Sequence, residues 1–394
     1  MLLRRPDAVL HPQFWAEDGQ VFYHDAYTYG WHSLFLPLGG YLNSLCRLTA
    51  LLAAACPLRW APWLFMAVAA VFQLLPVWLM LSPRMAAALP DWNARLALVY
   101  FYALLPNSYE MNLILTNAKW HLALVAFMLL VCRPAAGWGG RVADGALLAL
   151  SGLDGPFAIL LLPVAWLEVA RRPAALGKAL IISATAAVQM ELILTSHASS
   201  NRLLTPLGAS VPGLFHILTN QLFLGGLAGS RQMTIWLGSP VTGSGWLAGA
   251  VVLAGAWMVG VALWRGPAIY RRAAIFAGAL LVASLLTPVA SALEPQWSAL
   301  AKPPLGMRYF AMPTLLWFGT GLVFLGLPGR LARVPGMAIM LAASLGAGSN
   351  LRYPAFEADG FAARAASFQA AAPGSVAVFP ENPGGWAMVL RKRG

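Results

Sequence analysis

Long apolar segments run through most of this chain and restrict what it can fold into. A helix that crosses the hydrocarbon core of a bilayer needs about 20 mostly apolar residues. With 59% hydrophobic residues, 10% charged residues and a mean hydropathy of +0.68, the chain is typical of membrane proteins. We predict an all-α polytopic membrane protein with about ten transmembrane helices. The candidate spans lie near residues 59–81, 95–106, 118–132, 142–153, 156–170, 179–195, 245–264, 273–292, 309–327 and 334–349.

Basic residues fall in every second turn between these segments. Because Lys and Arg are retained on the cytoplasmic side, these turns are predicted to be cytoplasmic. The formal net charge of +12 is then mostly a topology signal, and we predict no nucleic-acid partner. The basic turn residues are Arg84, Arg95, Arg133, Arg141, Arg171, Arg172, Lys178, Arg265, Arg271, Arg272, Arg330 and Arg333.

The same alternation divides the chain into three parts. Residues 1–58 form a first extracytoplasmic loop, 59–349 form the transmembrane domain with an outer loop at 196–244, and 350–394 form a small extracytoplasmic tail. No apolar segment precedes the first loop, so we expect a further spanning helix before it, which would make about eleven spans. In the tail, two strand-like stretches surround a turn rich in Pro and Gly and are expected to pack on the outer loops.

An acidic cluster lies in the first loop and consists of Glu17, Asp18 and Asp25, with His24 beside them. Asp18 could simply cap a helix. A cap needs one carboxylate, however, whereas a general base or a metal site gains from several. We predict Asp18 and Glu17 as catalytic residues and His24 and Asp25 as substrate-binding residues. A divalent metal is left open, and no other cofactor is indicated.

A second polar group surrounds the start of the span at 118, with Glu110 and Asn117 before Lys119 and His121. Asn117 and His121 are four residues apart and share a helix face. Lys119 could be an interfacial residue whose amine reaches the headgroups, and Asp154 could be an ordinary turn residue. All five are also suited to bind sugar hydroxyls or a phosphate, and we predict them as substrate-binding residues.

A third group precedes the span at 309. Arg308 lies at the outer end of this helix, where the retention of Lys and Arg on the cytoplasmic side does not explain a basic residue. A guanidinium can bind phosphate with two hydrogen bonds. Tyr309 lies next to it, and Lys302 could add a second cation. An ion pair between Arg308 and an acid such as Glu294, which would hold the fold together, is the structural alternative. Arg202, in the long outer loop, is a further candidate of the same kind.

An early acidic pair, later outer cations and many spans together resemble the GT-C superfamily of integral-membrane glycosyltransferases. The resemblance implies that Glu17 or Asp18 acts as the general base. It also implies a polyprenyl-phosphate-linked sugar donor, whose phosphate is bound by Arg308 with Lys119 or Lys302. The acceptor would be a glycan or lipid, and the sugar would be transferred with inversion.

Two other functions remain open at this point. A transporter or flippase of lipid-linked saccharides would place polar residues on broken helices near the bilayer midplane. A polysaccharide polymerase or ligase would use arginine-rich outer loops. The composition, rich in Ala, Gly, Arg and Pro, favours a bacterial inner membrane, with membrane lipid around the chain. The charge bias of the turns places the active site on the extracytoplasmic side.

Overall fold

The computed structural model describes residues 1–196, 205–237, 245–357 and 360–394, and it is mostly helical. A helix occurs in each of the ten predicted segments. Their bounds are Ala61–Leu81, Trp92–Ala103, Ala118–Val131, Trp138–Gly152, Phe157–Arg171, Leu176–Thr195, Gly245–Arg265, Ala268–Leu286, Ala311–Leu325 and Arg330–Ser349.

Five helices are long and apolar enough to cross a membrane: Leu58–Leu81, Pro173–Thr195, Gly245–Arg265, Ala268–Leu286 and Arg330–Ser349, the first two counted with the short helical turn that precedes them. The other five of the ten contain 12 to 15 residues. At 1.5 Å per residue, a helix of that length reaches only about 18 to 22 Å, whereas the hydrocarbon core is about 30 Å thick. The structure therefore supports a helical membrane protein and does not confirm the count of about ten spans.

Shorter elements connect these helices. The α-helical ones are Asp7–Leu10, His24–Tyr29, Ser44–Ala54, Val211–Ile217, Gly225–Ala228, Ser230–Leu237, Gln296–Leu300 and Phe361–Ala370. The 3₁₀ turns are Leu2–Arg4, Gly30–Phe35, Leu58–Trp60, Met85–Ala87, Tyr109–Met111, Pro173–Ala175 and Met307–Phe310. Asp18–Tyr23 and Leu218–Phe223 are π-helical.

The helix Ala118–Val131 lies at the centre of the bundle. Of its 14 residues, 12 are buried, which is the pattern of a helix surrounded by other helices. It packs against Ala61–Leu81, Trp138–Gly152 and Phe157–Arg171. Its first turn therefore places Lys119 inside the protein, close to the polar loops.

Buried ion pairs tie the helices together at the end that carries the basic turns, which we call the arginine-rich end. Glu168 is fully buried and contacts both Arg172 and Arg272, the latter at 2.8 Å. Asp144 accepts two hydrogen bonds from Arg84, at 2.5 and 3.0 Å. Each carboxylate thus pairs with a cation from another segment, because an unpaired buried charge would be costly.

The opposite end, which we call the acidic-motif end, is covered by residues 1–58 and by the C-terminal segment. The strands Val376–Glu381 and Trp386–Arg391 pair antiparallel, from Val376 opposite Arg391 to Glu381 opposite Trp386. This C-terminal hairpin confirms the two predicted strand-like stretches. It packs against the π-helical turn Asp18–Tyr23, and so against the acidic motif.

Candidate functional site

A cavity of about 650 Å³ lies at the acidic-motif end, within the size range of small-molecule sites. Two kinds of side chain give its wall a specific chemistry. The charged and amide side chains are Glu17, Asn43, Glu110, Asn117, Lys119 and Arg308. The aromatic side chains are Trp15, Tyr41, Trp120, Phe157, Tyr309 and Trp386.

Glu17 supplies a carboxylate to this cavity. Within the described residues, its side chain has no hydrogen bond and no cation within 4.0 Å. The preceding residue, Ala16, has a φ of +46°, which is unusual for a residue with a side chain. Its N–H donates to the carbonyl of Asn382 at 2.6 Å, so the C-terminal hairpin holds the backbone in the conformation that carries Glu17.

Asp18 lies behind the cavity wall, at 3% exposure. Burial raises the pKa of this carboxyl well above its ordinary value, and the nearby Glu17 raises it further. The amides of Thr116 and Leu115 oppose this shift by hydrogen bonding to the carboxylate. The side chain does not cap its own helical turn. Asp18 is thus a buried carboxyl with a raised pKa that does not line the cavity.

Lys119 lines the cavity from the first turn of the central helix. Its Nζ donates to the Asn43 Oδ1 at 3.0 Å and lies 5.4 Å from the centre of the Tyr41 ring. An ammonium group has three donors, and this contact uses one of them. The side chain is therefore half-buried and held by contacts within the protein.

Asp154 is fully buried beneath this loop and outside the cavity. Its Oδ1 accepts from the N–H of Leu45 at 3.2 Å, and Asn43 forms an isolated bridge with it. Burial raises the pKa of Asp154 to about 6, while Lys119 and the Leu45 amide oppose the rise. Its contacts are those of a residue that shapes the loop bearing Asn43.

Arg308 and Glu110 form an ion pair on the cavity wall, with the Arg308 Nη1 2.7 Å from the Glu110 Oε2. The other guanidinium nitrogen, Nη2, donates to the Val289 carbonyl at 2.9 Å and to the Tyr309 hydroxyl at 3.2 Å. Asn117 donates to the Glu110 carbonyl at 2.8 Å. The structural alternative of an ion pair between Arg308 and an acid is therefore present, but the acid is Glu110 and not Glu294, which pairs with Lys302.

Four other predicted site residues lie elsewhere. Lys302 is exposed and its Nζ is 2.5 Å from Glu294, which leaves it outside the cavity. His121 is buried, with its ring nitrogens 2.8 Å from the Tyr102 hydroxyl and 2.9 Å from the Met111 carbonyl. Both of its nitrogens are thus satisfied inside the protein.

Asp25 and His24 also lie outside the cavity. Asp25 pairs with the buried Arg47 at 2.5 Å, and the His24 Nδ1 is 3.3 Å from the Asp25 carboxylate. The Asp25–Arg47 pair joins the helix His24–Tyr29 to the helix Ser44–Ala54 within the first loop, and neither Asp25 nor His24 joins Glu17 in the cavity. Arg202 lies outside the described residues.

Several wall residues were not predicted from the sequence. Tyr41 and Asn43 follow a Gly-Gly pair in a loop, and Trp386 belongs to the tail, so neither charge nor helical spacing marked them. Trp120, in the first turn of the central helix, is a further wall residue of this kind. Its buried indole N–H has no hydrogen-bond partner among the described residues, and it is therefore a donor that a polar ligand could use.

No group of three or more His, Cys, Asp or Glu side chains that could hold a metal ion occurs in the described part of the chain. Asp25 is bound to Arg47, so the three carboxylates of the first loop do not converge on one point. Comparison of the chain with protein-family models, with curated proteins and with solved structures finds no match.

Proposed function

We propose that this chain is a membrane glycosyltransferase of the GT-C type, which moves a sugar from a polyprenyl-phosphate donor to a cell-envelope acceptor. The observation that carries the proposal is that Glu17, Lys119 and Arg308 line one cavity. A carboxylate without a cation partner is suited to accept a proton. An ammonium and a guanidinium on the same wall are suited to bind a phosphate.

The transfer step uses these three groups. Glu17 accepts the proton of an acceptor hydroxyl, and that oxygen forms a bond to the anomeric carbon of the donor sugar. The bond from that carbon to the phosphate oxygen breaks, and its electron pair leaves with the polyprenyl phosphate. Arg308 and Lys119 stabilise the negative charge that grows there. Attack opposite the leaving group gives net inversion.

An apolar groove of about 590 Å³ supports a lipid-linked donor. It shares two helices with the cavity, Ala118–Val131 and Ala268–Leu286, and is also lined by Ala311–Leu325 and by residues of the arginine-rich end such as Arg265. Phe127, Phe276 and mostly aliphatic side chains line it. A prenyl chain fits such a lining, whereas a saccharide would leave its hydroxyls without partners. This difference favours transfer from a lipid carrier over transport of a sugar along the bundle.

By the charge bias of the turns, the cavity would face the extracytoplasmic side, and the composition favours a bacterial inner membrane. The acceptor in this proposal is a glycan or lipid of the cell envelope, and the alternatives are a flippase of lipid-linked saccharides and a polysaccharide polymerase or ligase. A flippase breaks no bond, so release of polyprenyl phosphate separates it from both transferase proposals.

The proposal is tested by measuring release of polyprenyl phosphate from a panel of lipid-linked monosaccharides in proteoliposomes. We expect Glu17→Gln to lower turnover by at least about 100-fold, the usual scale of general-base catalysis. Asp18→Asn is measured beside it, and we expect a smaller loss because Asp18 lies behind the cavity wall.

Glu294→Gln is the matched control, because that carboxylate lies in an exposed ion pair outside the cavity. Equal turnover of Glu17→Gln and Glu294→Gln would contradict Glu17 as the base. No release from any donor, together with movement of a lipid-linked sugar across the bilayer, would favour the flippase.

A further inference from the structure

The C-terminal hairpin has no role in the transfer step described above, although it forms part of the cavity wall. Pro383, in its turn, and Trp386, at the start of its second strand, line the cavity together with Glu17. The hairpin residues thus stand beside the carboxylate, although more than 360 residues of sequence separate them.

Several hydrogen bonds fix the hairpin to the first loop, and one of them runs from the Asn382 N–H to the Phe14 carbonyl at 3.4 Å. The Asn382 carbonyl accepts from the N–H of Ala16 at 2.6 Å, and its Nδ2 donates to the Gln13 Oε1, also at 2.6 Å. Glu381 Oε2 accepts from the N–H of Gln20 at 3.1 Å. These bonds flank Glu17 and Asp18 on both sides, so the turn of the hairpin has a set position relative to the acidic motif.

Trp386 follows the turn that Asn382 and Glu381 attach to the first loop, and it borders the cavity. Its ring packs against the small cluster formed by Trp15, Ala16 and Ile114, and the residue is half-buried. A fixed aromatic face that is open on one side is a surface on which the C–H groups of a pyranose ring can stack. Because Trp386 and Glu17 line the same cavity, a hydroxyl of a sugar stacked on Trp386 could reach the Glu17 carboxylate.

The positions of the two cations indicate where the donor sugar and the acceptor sugar of the proposed reaction would bind. Lys119 lies in the first turn of Ala118–Val131, and Arg308 lies in the turn that precedes Ala311–Leu325. Both helices also line the apolar groove, so the two cations mark the place proposed for the lipid phosphate. Trp386 belongs to the segment outside the helix bundle, on the side of Glu17. A ring on Trp386 would therefore approach from outside the membrane.

We propose that Trp386 and the turn of the C-terminal hairpin bind a pyranose ring of the acceptor glycan and present its hydroxyl to Glu17. The assignment of this ring to the acceptor rests on the proposed transferase function. The binding of a pyranose to Trp386 is a separate statement and can be measured without turnover.

The test measures binding of a panel of methyl pyranosides to the detergent-solubilised full chain by saturation-transfer NMR. Trp386→Ala removes the face, Trp386→Phe keeps an aromatic ring, and Trp138→Ala removes an exposed indole at the arginine-rich end. We expect Trp386→Ala to weaken binding by roughly tenfold, as loss of one stacking face does. Trp386→Phe and Trp138→Ala should bind as the unaltered chain does.

Equal binding by Trp386→Ala and Trp138→Ala would overturn the inference, and so would failure of every pyranoside to bind the unaltered chain. Displacement of the pyranoside by a polyprenyl-phosphate sugar would assign the ring to the donor and overturn the acceptor assignment. Binding that depends on Trp386 without release of polyprenyl phosphate would support the sugar site and count against the transferase. Melting temperatures of the variants identify any loss of folding.

Discussion

Arg308 and Glu110 are 198 residues apart in the sequence, and their side chains form an ion pair of 2.7 Å on the wall of the cavity. Glu110 follows the second of the ten helices, and Arg308 precedes the ninth. The pair therefore joins two loops at the end of the bundle. It fixes the guanidinium while leaving it on the cavity wall, where the proposed donor phosphate binds.

Replacing Arg308 tests this binding role. We expect Arg308→Ala to lower turnover by about 100-fold or more, the scale seen when a group that stabilises developing charge is removed. Arg308→Lys should retain part of the activity, because it keeps the charge and loses the fork of donors. Lys302→Ala is the control, since it removes an exposed ion pair and should cost no more than about 1 kcal/mol of stability. Equal loss of turnover from Lys302→Ala and Arg308→Ala would count against a special role for Arg308.

The buried carboxyl of Asp154 predicts a pH dependence of stability. Its folded pKa is about 6, whereas the pKa in the unfolded chain is about 3.9. Between these values the folded protein binds more protons than the unfolded chain, so the free energy of unfolding falls as pH rises from about 4 to about 6. The full difference corresponds to roughly 3 kcal/mol.

Asp154→Asn should remove this dependence, because an amide oxygen can still accept from the Leu45 N–H and does not titrate. Melting temperatures in detergent from pH 4 to pH 8 would show it. The variant should gain stability relative to the unaltered chain as pH rises from about 4 to about 6, and the difference should stay constant above that. Parallel melting curves for both proteins over that range would contradict the raised pKa.

At the arginine-rich end, we expect replacement of Glu168 to lower the stability of the protein strongly and to change its turnover little. Glu168→Gln leaves Arg172 and Arg272 without their buried counter-charge, which we expect to cost about 3 kcal/mol or more. Glu191→Gln, on an exposed face of a neighbouring helix, should cost little. Thermal melting measures the first effect. Turnover per folded molecule should stay close to that of the unaltered chain, because the cavity lies at the other end.

Gly19 lies against the Glu381 side chain of the hairpin, so we expect a substitution at Glu381 to offset the effect of a substitution at Gly19. A Cβ at Gly19 would lie 1.6 Å from the Glu381 Oε1 and 2.9 Å from the Phe14 ring. Gly19→Ala should therefore displace the Glu381 side chain and make the C-terminal segment easier to cleave by a protease. Glu381→Ala in the same chain should restore part of the protection, since it removes the nearest atoms. Gly278→Ala, where no atom lies within 4 Å, is the control and should be neutral or slightly stabilising.

The predicted orientation has its own test. Gly384 is exposed in the turn of the hairpin and Gly329 is exposed at the arginine-rich end. Gly384→Cys should react with an impermeant thiol reagent in intact cells, and Gly329→Cys only after permeabilisation, if the basic turns are cytoplasmic. Cys56→Ser provides the background, because Cys56 is the exposed one of the three native cysteines. Labelling of Gly329→Cys alone in intact cells would reverse the orientation.

The sequence by itself determined where the helices form. Apolar runs bounded by basic turns predicted a helix in each of the ten segments, because the hydropathy of a segment depends only on its own residues. The separation of acidic-motif residues from the basic turns also followed from the charge pattern. Length alone did not decide which helices cross a membrane, since the helices in five of the ten segments are 12 to 15 residues long.

Only the tertiary structure decided which polar residues meet. Residue type predicted Glu17, Lys119 and Arg308 as site residues, and all three line the cavity. The same reasoning placed Asp25 with them, but its partner Arg47 is another 22 residues along the chain. An ion pair depends on which side chains the packing brings within a few ångströms, and sequence distance does not measure that. For the same physical reason, the sequence did not predict Trp386 as a wall residue: it lines the cavity because the tail folds back on the first loop.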